Sequence, residues 1–235
     1  MKLKKIIAVA LLAVSAMGFQ IANAQSLSPS TKWHWDKGTI VIDTPERPAG
    51  QEHVLGLTAA PVKTVRIGFV GLGMRGPSAV IRFCQIPGVE IVALCDYEEK
   101  RAEAQQRHLR NAGLAPAAIY YGEKGYEELC KRPDVDLIYI ATDWNHHFPV
   151  AKCAMENGKH AAIEVPSAMN LEQCWNLIDL SEKTRLHCFI LENCCYDDYE
   201  MKSLLMAQDG VFGEVIRAEG AYIHELSEFW KYYWK

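Results

Sequence analysis

From residue 65 to residue 191, short runs that are apolar throughout alternate with longer charged, amphipathic stretches. The first run, 65–70 (VRIGFV), ends in glycines and reads as a buried strand. A helical pattern follows at about 77–85, then a second strand at 89–94 (VEIVAL) and an amphipathic surface helix at 98–111. Ile119 and Tyr120 suggest a short third strand, and 137–141 (LIYIA) a fourth. A helix over 147–157, stopped by Gly158, leads to a fifth strand at 160–163. Asn170 can cap a helix running to about Thr184, and 188–191 (CFIL) is the sixth strand. Strands without a polar face that alternate with surface helices predict a parallel sheet covered on both sides.

The flanking segments differ. Residues 25–62 lack sustained periodicity and carry Pro29, Pro45, Pro48 and Pro61, which predicts an extended arm rather than a core unit. After residue 191, a helix is expected at 197–208. A strand with one solvated face is expected at 214–222, and 225–234 is rich in aromatics. A lone strand offers such aromatics no surface. A second domain is therefore expected to begin near residue 192 and to be incomplete at Lys235. The expected organisation is a leader at 1–24, the arm at 25–62, the sheet domain at 63–191 and the start of an α+β substrate domain at 192–235.

The leader has a basic start (Lys2, Lys4, Lys5), an apolar stretch from Ile6 to Phe19, and small residues at Ala22 and Ala24. This is the pattern of a Sec signal peptide cleaved after Ala24, with a periplasmic or secreted destination. Its apolar stretch is shorter than a bilayer span, so no membrane span is expected after processing. The formal net charge is −4 and no run of Lys/Arg occurs, which argues against nucleic acid as a partner. Among the eight cysteines no CxxC pair suggests a metal site, and Cys95, Cys153 and Cys188 sit in apolar stretches as small buried hydrophobes.

Chemistry first enters at Gly71-Leu72-Gly73-Met74-Arg75-Gly76, a GxGxxG placed between a strand and a helix. The first glycine permits the tight turn, the second lets backbone approach a pyrophosphate, and the third lets helix and strand pack closely. Asp96 ends the second strand, 20 positions after Gly76, where a carboxylate accepts from the adenosine ribose and repels a 2′-phosphate. Together these predict a doubly wound Rossmann sheet that binds NAD. The segment Thr142 to His147 follows the fourth strand and is expected as a loop facing the cofactor. Its two histidines lack a third ligand at matching spacing, so no metal is expected. Glu164 follows the fifth strand; it either bonds backbone N–H groups or contacts cofactor or substrate.

The order GLGMRG, Cys95-Asp96, ATDWNHH, EVP and ENCCYDD resembles the glucose–fructose oxidoreductase and inositol dehydrogenase (Gfo/Idh/MocA) superfamily. Within it, residues 65–235 look most like the NAD-dependent glycosyl hydrolases of family 109, whose activity is that of an α-N-acetylgalactosaminidase. The resemblance implies that Met74, Arg75, Asp96, Trp144, Asn145, His146, His147, Glu164, Val165 and Asn193 touch NAD, and that Tyr222 touches the sugar. Glu164, Tyr196 and His224 are the catalytic candidates. It also implies a redox-neutral hydrolysis in which NAD is bound tightly and recycled, with a glycan bearing N-acetylgalactosamine as partner; self-association stays open. Many dehydrogenases of the superfamily carry Glu-Lys-Pro after the fifth strand. Val165 replaces that lysine here and has no proton to move, which favours the hydrolase branch over a sugar oxidoreductase. The family's Tyr-Pro-Thr-His segment has no counterpart before Lys235, so the activity is expected of a longer parent.

Overall fold

The computed structural model describes residues 33–42, 46–221 and 223–229. The expected signal peptide therefore lies outside the described residues. Contacts divide the chain into two compact units, Met1–Leu191 and Glu192–Lys235.

The first unit is built on six parallel strands: β3 (Val65–Val70), β4 (Val89–Asp96), β5 (Ala118–Tyr121), β6 (Leu137–Ile140), β7 (His160–Ile163) and β8 (Cys188–Ile190). Their spatial order is β5-β4-β3-β6-β7-β8. The chain thus winds outward from β3 through β4 to β5, then returns to the other side of β3 to begin β6. That reversal opens a crevice at the carboxyl ends of β3 and β6, where such sheets bind ligands.

Alternate strand residues feed two cores. On one face Ile67, Phe69 and Leu94 pack with Ala79 and Val80 of α1 (Gly76–Phe83) and with Ala102 and Leu109 of α2 (Glu99–Asn111). On the other face Val70, Ile138, Ile140 and Ile163 pack against α3 (Gly125–Cys130), α4 (Trp144–Glu156) and α5 (Leu171–Thr184) through Leu129, Val150, Met155 and Leu177. Covering both faces is why the strands read as apolar throughout. Burial pushes the Cys95 thiol up to about 12 and that of Cys188 to about 11, so both behave as inert core groups.

Several elements depart from expectation. The arm contains a hairpin, β1 (Trp33–Asp36) with β2 (Thr39–Ile42), closed by Lys37 and Gly38, both at positive φ. WHWD-KG-TIVI is an alternating pair of runs around a two-residue turn, a signal that the surrounding prolines obscured. Residues further along the arm are tied down: Arg47 donates to both carboxylate oxygens of the buried Glu182 on α5, at 2.8 Å each. Gln51 donates to Glu182 and Asp179, and Arg185 donates to the carbonyls of Glu52 and His53. Helix α3 is short, six residues, and had no periodic signature.

Helix α4 begins at Trp144, not at His147, because the Asp143 side chain caps it by accepting from Asn145 N–H. Residues 144–147 are thus a first helical turn, not a loop. Asn170 caps α5 as expected, accepting from Gln173 N–H. In the second unit, α6 (Asp198–Gln208) forms as expected with no buried residue. The expected strand at 214–222 is not formed in its described part, 214–221. Alternation supplies one apolar face, but a strand also needs a partner to satisfy its N–H and C=O groups.

Candidate dinucleotide site

At the carboxyl edge the backbone hydrogen bonds continue one residue beyond each strand. Gly71 N–H donates to Cys95 O, Ala141 N–H to Val70 O, Glu164 N–H to Ile140 O and Leu191 N–H to Ile163 O, all at 2.8–2.9 Å. These bonds set Gly71, Ala141 and Glu164 side by side at the mouth of the crevice.

The three glycines have different environments there. Gly71 has φ +93°, and a Cβ on it would lie 2.4 Å from the carbonyl of Ala141. A Cβ on Gly76 would lie 2.1 Å from Gly71 O, so helix and turn touch backbone to backbone. A Cβ on Gly73 would meet nothing nearer than Arg101 Nη1 at 3.8 Å, so this glycine leaves an open approach. Helix α1 starts with no side-chain cap and no acid in its first turn to compete for its N-terminal N–H groups, which suits a diphosphate. The set fits a dinucleotide: two glycines close the turn and one leaves the ligand's path clear.

Asp96 is only 6% exposed. Its Oδ2 accepts from Leu72 N–H at 2.6 Å and its Oδ1 from Glu98 N–H at 2.9 Å. It therefore pins the glycine turn, and each oxygen keeps a further lone pair for a hydroxyl donor. Arg101 stands beside it, with Nη1 3.7 Å from Asp96 Oδ1 and Nη2 3.0 Å from Glu98 Oε1.

Across the crevice, Tyr139 donates its hydroxyl to Glu164 Oε1 at 2.7 Å, and Arg75 Nε lies 3.9 Å from Glu164 Oε2. Glu164 thus holds a tyrosine and an arginine rather than backbone N–H groups. Burial, and then the Glu164 carboxylate, push the Tyr139 hydroxyl well above its ordinary range, so it stays a donor. Tyr139 was missed in the sequence. A tyrosine within LIYI, needing a partner for a buried hydroxyl, was the available signal.

The 144–147 turn splits in function. Trp144, Asn145 and His146 are exposed, and His146 Nδ1 lies 2.5 Å from Asp143 Oδ2. Burial acts to raise the Asp143 carboxyl, but His146 and the capped N–H groups outweigh it and hold it below its usual range. His147 is buried, with Nδ1 2.6 Å from Pro166 O and Nε2 3.1 Å from Thr142 O. It ties the start of α4 to the Val165–Pro166 segment. Met74, Tyr97 and Val165 in the connections, and Trp144 in the first turn of α4, expose apolar surface at this edge. Asn193, Tyr196 and His224 belong to the second unit and are exposed, and Tyr222 lies outside the described residues. Among the described residues no group of three or more His, Cys, Asp or Glu is placed to hold a metal ion.

Residues 65–191 match the family described as an oxidoreductase family with an NAD-binding Rossmann fold. A curated relative from Phocaeicola vulgatus, glycosyl hydrolase family 109 protein 3, is 75% identical over all 235 residues, which span 42% of its length. Family 109 protein 4 of the same organism is 65% identical over 98% of this chain and 45% of its own. The chain therefore spans less than half the length of these relatives. Among solved structures, myo-inositol dehydrogenase from Lactobacillus casei in complex with NAD(H) and myo-inositol shares the fold. It has a TM-score of 0.57 and 23% identity over 64% of this chain and 43% of its own.

Proposed function

Since the chain belongs to the Gfo/Idh/MocA oxidoreductase family with its NAD-binding Rossmann fold, we propose that residues 65–191 hold NAD for a glycosidase acting on terminal α-N-acetylgalactosamine. The supporting observation is a glycine turn suited to a dinucleotide in a chain 75% identical, over its whole length, to a protein named as a glycosyl hydrolase.

When bound, the nicotinamide supplies reversible hydride acceptance from C3 of the sugar, which acidifies the C2 proton and lets the C1 substituent leave before hydride is returned. Water adds at C1, and no net oxidation results. The chain's own residues bind and orient. The start of α1 receives the diphosphate, and Asp96 accepts from the adenosine ribose while fixing Leu72 and Glu98. Met74, Arg75, Trp144, Asn145, His146, Val165 and Asn193 complete the NAD contacts. His147 acts behind them by anchoring the turn. Glu164 steers Arg75 through their ion pair, and Tyr196 and His224 are the candidates for moving the C2 proton. Tyr222 contacts the sugar. A cycle without net oxidation would let the cofactor stay bound between turnovers, which would suit an exported enzyme away from a soluble NAD pool.

The test assays protein carrying this sequence, extended to the length of its relatives, on p-nitrophenyl α-N-acetylgalactosaminide. Release of p-nitrophenol with no net gain of NADH absorbance, lost in Asp96→Ala and partly restored by excess NAD, is the expected result. Absence of release together with NADH accumulating on free sugars would move the protein to the sugar oxidoreductases.

A further inference from the structure

Two charged side chains stand beside Asp96. Glu98 and Arg101 form an ion pair at the start of α2, with Arg101 Nη2 3.0 Å from Glu98 Oε1. Both side chains are about half exposed, and an i,i+3 pair in that setting adds little to stability. Its position is more telling than its strength. The same guanidinium has Nη1 3.7 Å from Asp96 Oδ1, and it is the nearest group to the open side of Gly73. Arg101 is therefore fixed where the ribose end of a dinucleotide enters.

The two carboxylates and one guanidinium leave an excess of one negative charge at that point. A ribose 2′-hydroxyl is a donor and can use a free lone pair of Asp96. A 2′-phosphate brings only acceptors and negative charge, and needs a cation turned toward it. Arg101 is such a cation, but Glu98 holds it by one nitrogen. Resting on the dinucleotide reading of this site, we infer that Glu98 and Arg101 set the choice between NAD and NADP. Glu98 withholds Arg101 from a 2′-phosphate, and Asp96 supplies the direct preference for the hydroxyl. The chain binds NAD more tightly than NADP, with the margin set by this pair as well as by Asp96.

The test is calorimetric titration of the 235-residue chain with NAD and with NADP, comparing Glu98→Gln and Arg101→Ala with the unaltered sequence. Glu98→Gln removes one charge and releases the guanidinium, so the ratio Kd(NADP)/Kd(NAD) should fall by roughly fivefold. Arg101→Ala leaves both carboxylates unopposed, so the ratio should rise by roughly threefold or more. The opposite signs separate this role from a general loosening of α2, and if one variant loses its circular-dichroism signature the other still decides. NAD binding with both ratios within about twofold of the original, or moving together, overturns the inference alone. Failure of the unaltered chain to bind either nucleotide overturns the dinucleotide reading and the inference with it.

Discussion

Gly73 and Gly76 are three residues apart and carry opposite demands. Gly76 is steric: a methyl group there would sit 2.1 Å from Gly71 O, inside backbone that cannot swing aside. Gly76→Ala should lower stability by about 1–3 kcal/mol, the ordinary cost of overpacking, and weaken nucleotide binding with it. Gly73 faces open space, so Gly73→Ala should keep the thermal midpoint within experimental error yet weaken NAD binding, because the methyl fills the ligand's path. Thermal melts and calorimetry on the two variants check this; an equal loss of stability in both would sink the distinction. The glycine spacing and Asp96 were legible in the sequence because dihedral freedom and a carboxylate at a strand end are local properties. Tyr139 and Arg101 were not. Tyr139 acts through Glu164, 25 residues away, and Arg101 faces Asp96 as well as its i,i+3 partner Glu98, so spacing alone did not place it at the site.

Among the elements, the sheet is tied at its amino edge and the arm to α5 by carboxylate clamps. Asp136 accepts from Arg66 N–H, Nε and Nη2 at 2.7–3.0 Å, joining β3 to the start of β6. The Arg66 hydrogen bonds hold the Asp136 carboxyl below its usual range, and Arg47, then Gln51, hold Glu182 down to about 2. A folded value below the unfolded one means the stabilisation is full above the unfolded value, about 4, and lost as pH falls through the folded one. The arm should therefore loosen progressively between about pH 4 and 2. Arg47→Ala should give the same loosening at neutral pH, read as several-fold faster chymotryptic cleavage at Leu55 or Leu57. An unchanged cleavage rate would show that the clamp does not restrain the arm.

Element assignment from pattern succeeded where burial was two-sided. The six parallel strands were readable because each is predominantly apolar; the edge strand β8, where Phe189 and Ile190 are exposed, was legible by composition rather than by two-sided burial. Assignment failed where a neighbour or a cap decided. The helix expected from His147 starts three residues earlier, at Trp144, because Asp143 caps it. Residues 214–221 alternate like a strand but have no ladder. The hairpin in the arm was hidden by prolines at 45 and 48 that lie outside it.

At the scale of the molecule, the sheet domain carries the ligand site and most of the buried surface, so a bound nucleotide should report on the fold as a whole. At a hundred times its Kd, NAD should add about 2.7 kcal/mol to stability, or several degrees in thermal midpoint. NADP at the same concentration should add less. A midpoint indifferent to NAD would mean that the crevice does not bind it.

Periodicity, the glycine turn and Asp96 were enough to determine a doubly wound parallel sheet with a dinucleotide turn after its first strand. Each rests on a spacing along the chain, or on the backbone freedom of a single residue. Only the tertiary structure decided which side chains that site brings together. It pairs Tyr139 with Glu164, sets Glu164 against Arg75, places Arg101 beside Asp96, and turns His147 into the protein rather than outward. Apart from the local Arg101–Asp96 pair, those choices depend on groups brought together by the winding of the sheet, and the order of strands β5-β4-β3-β6-β7-β8 creates that proximity while the order of residues does not.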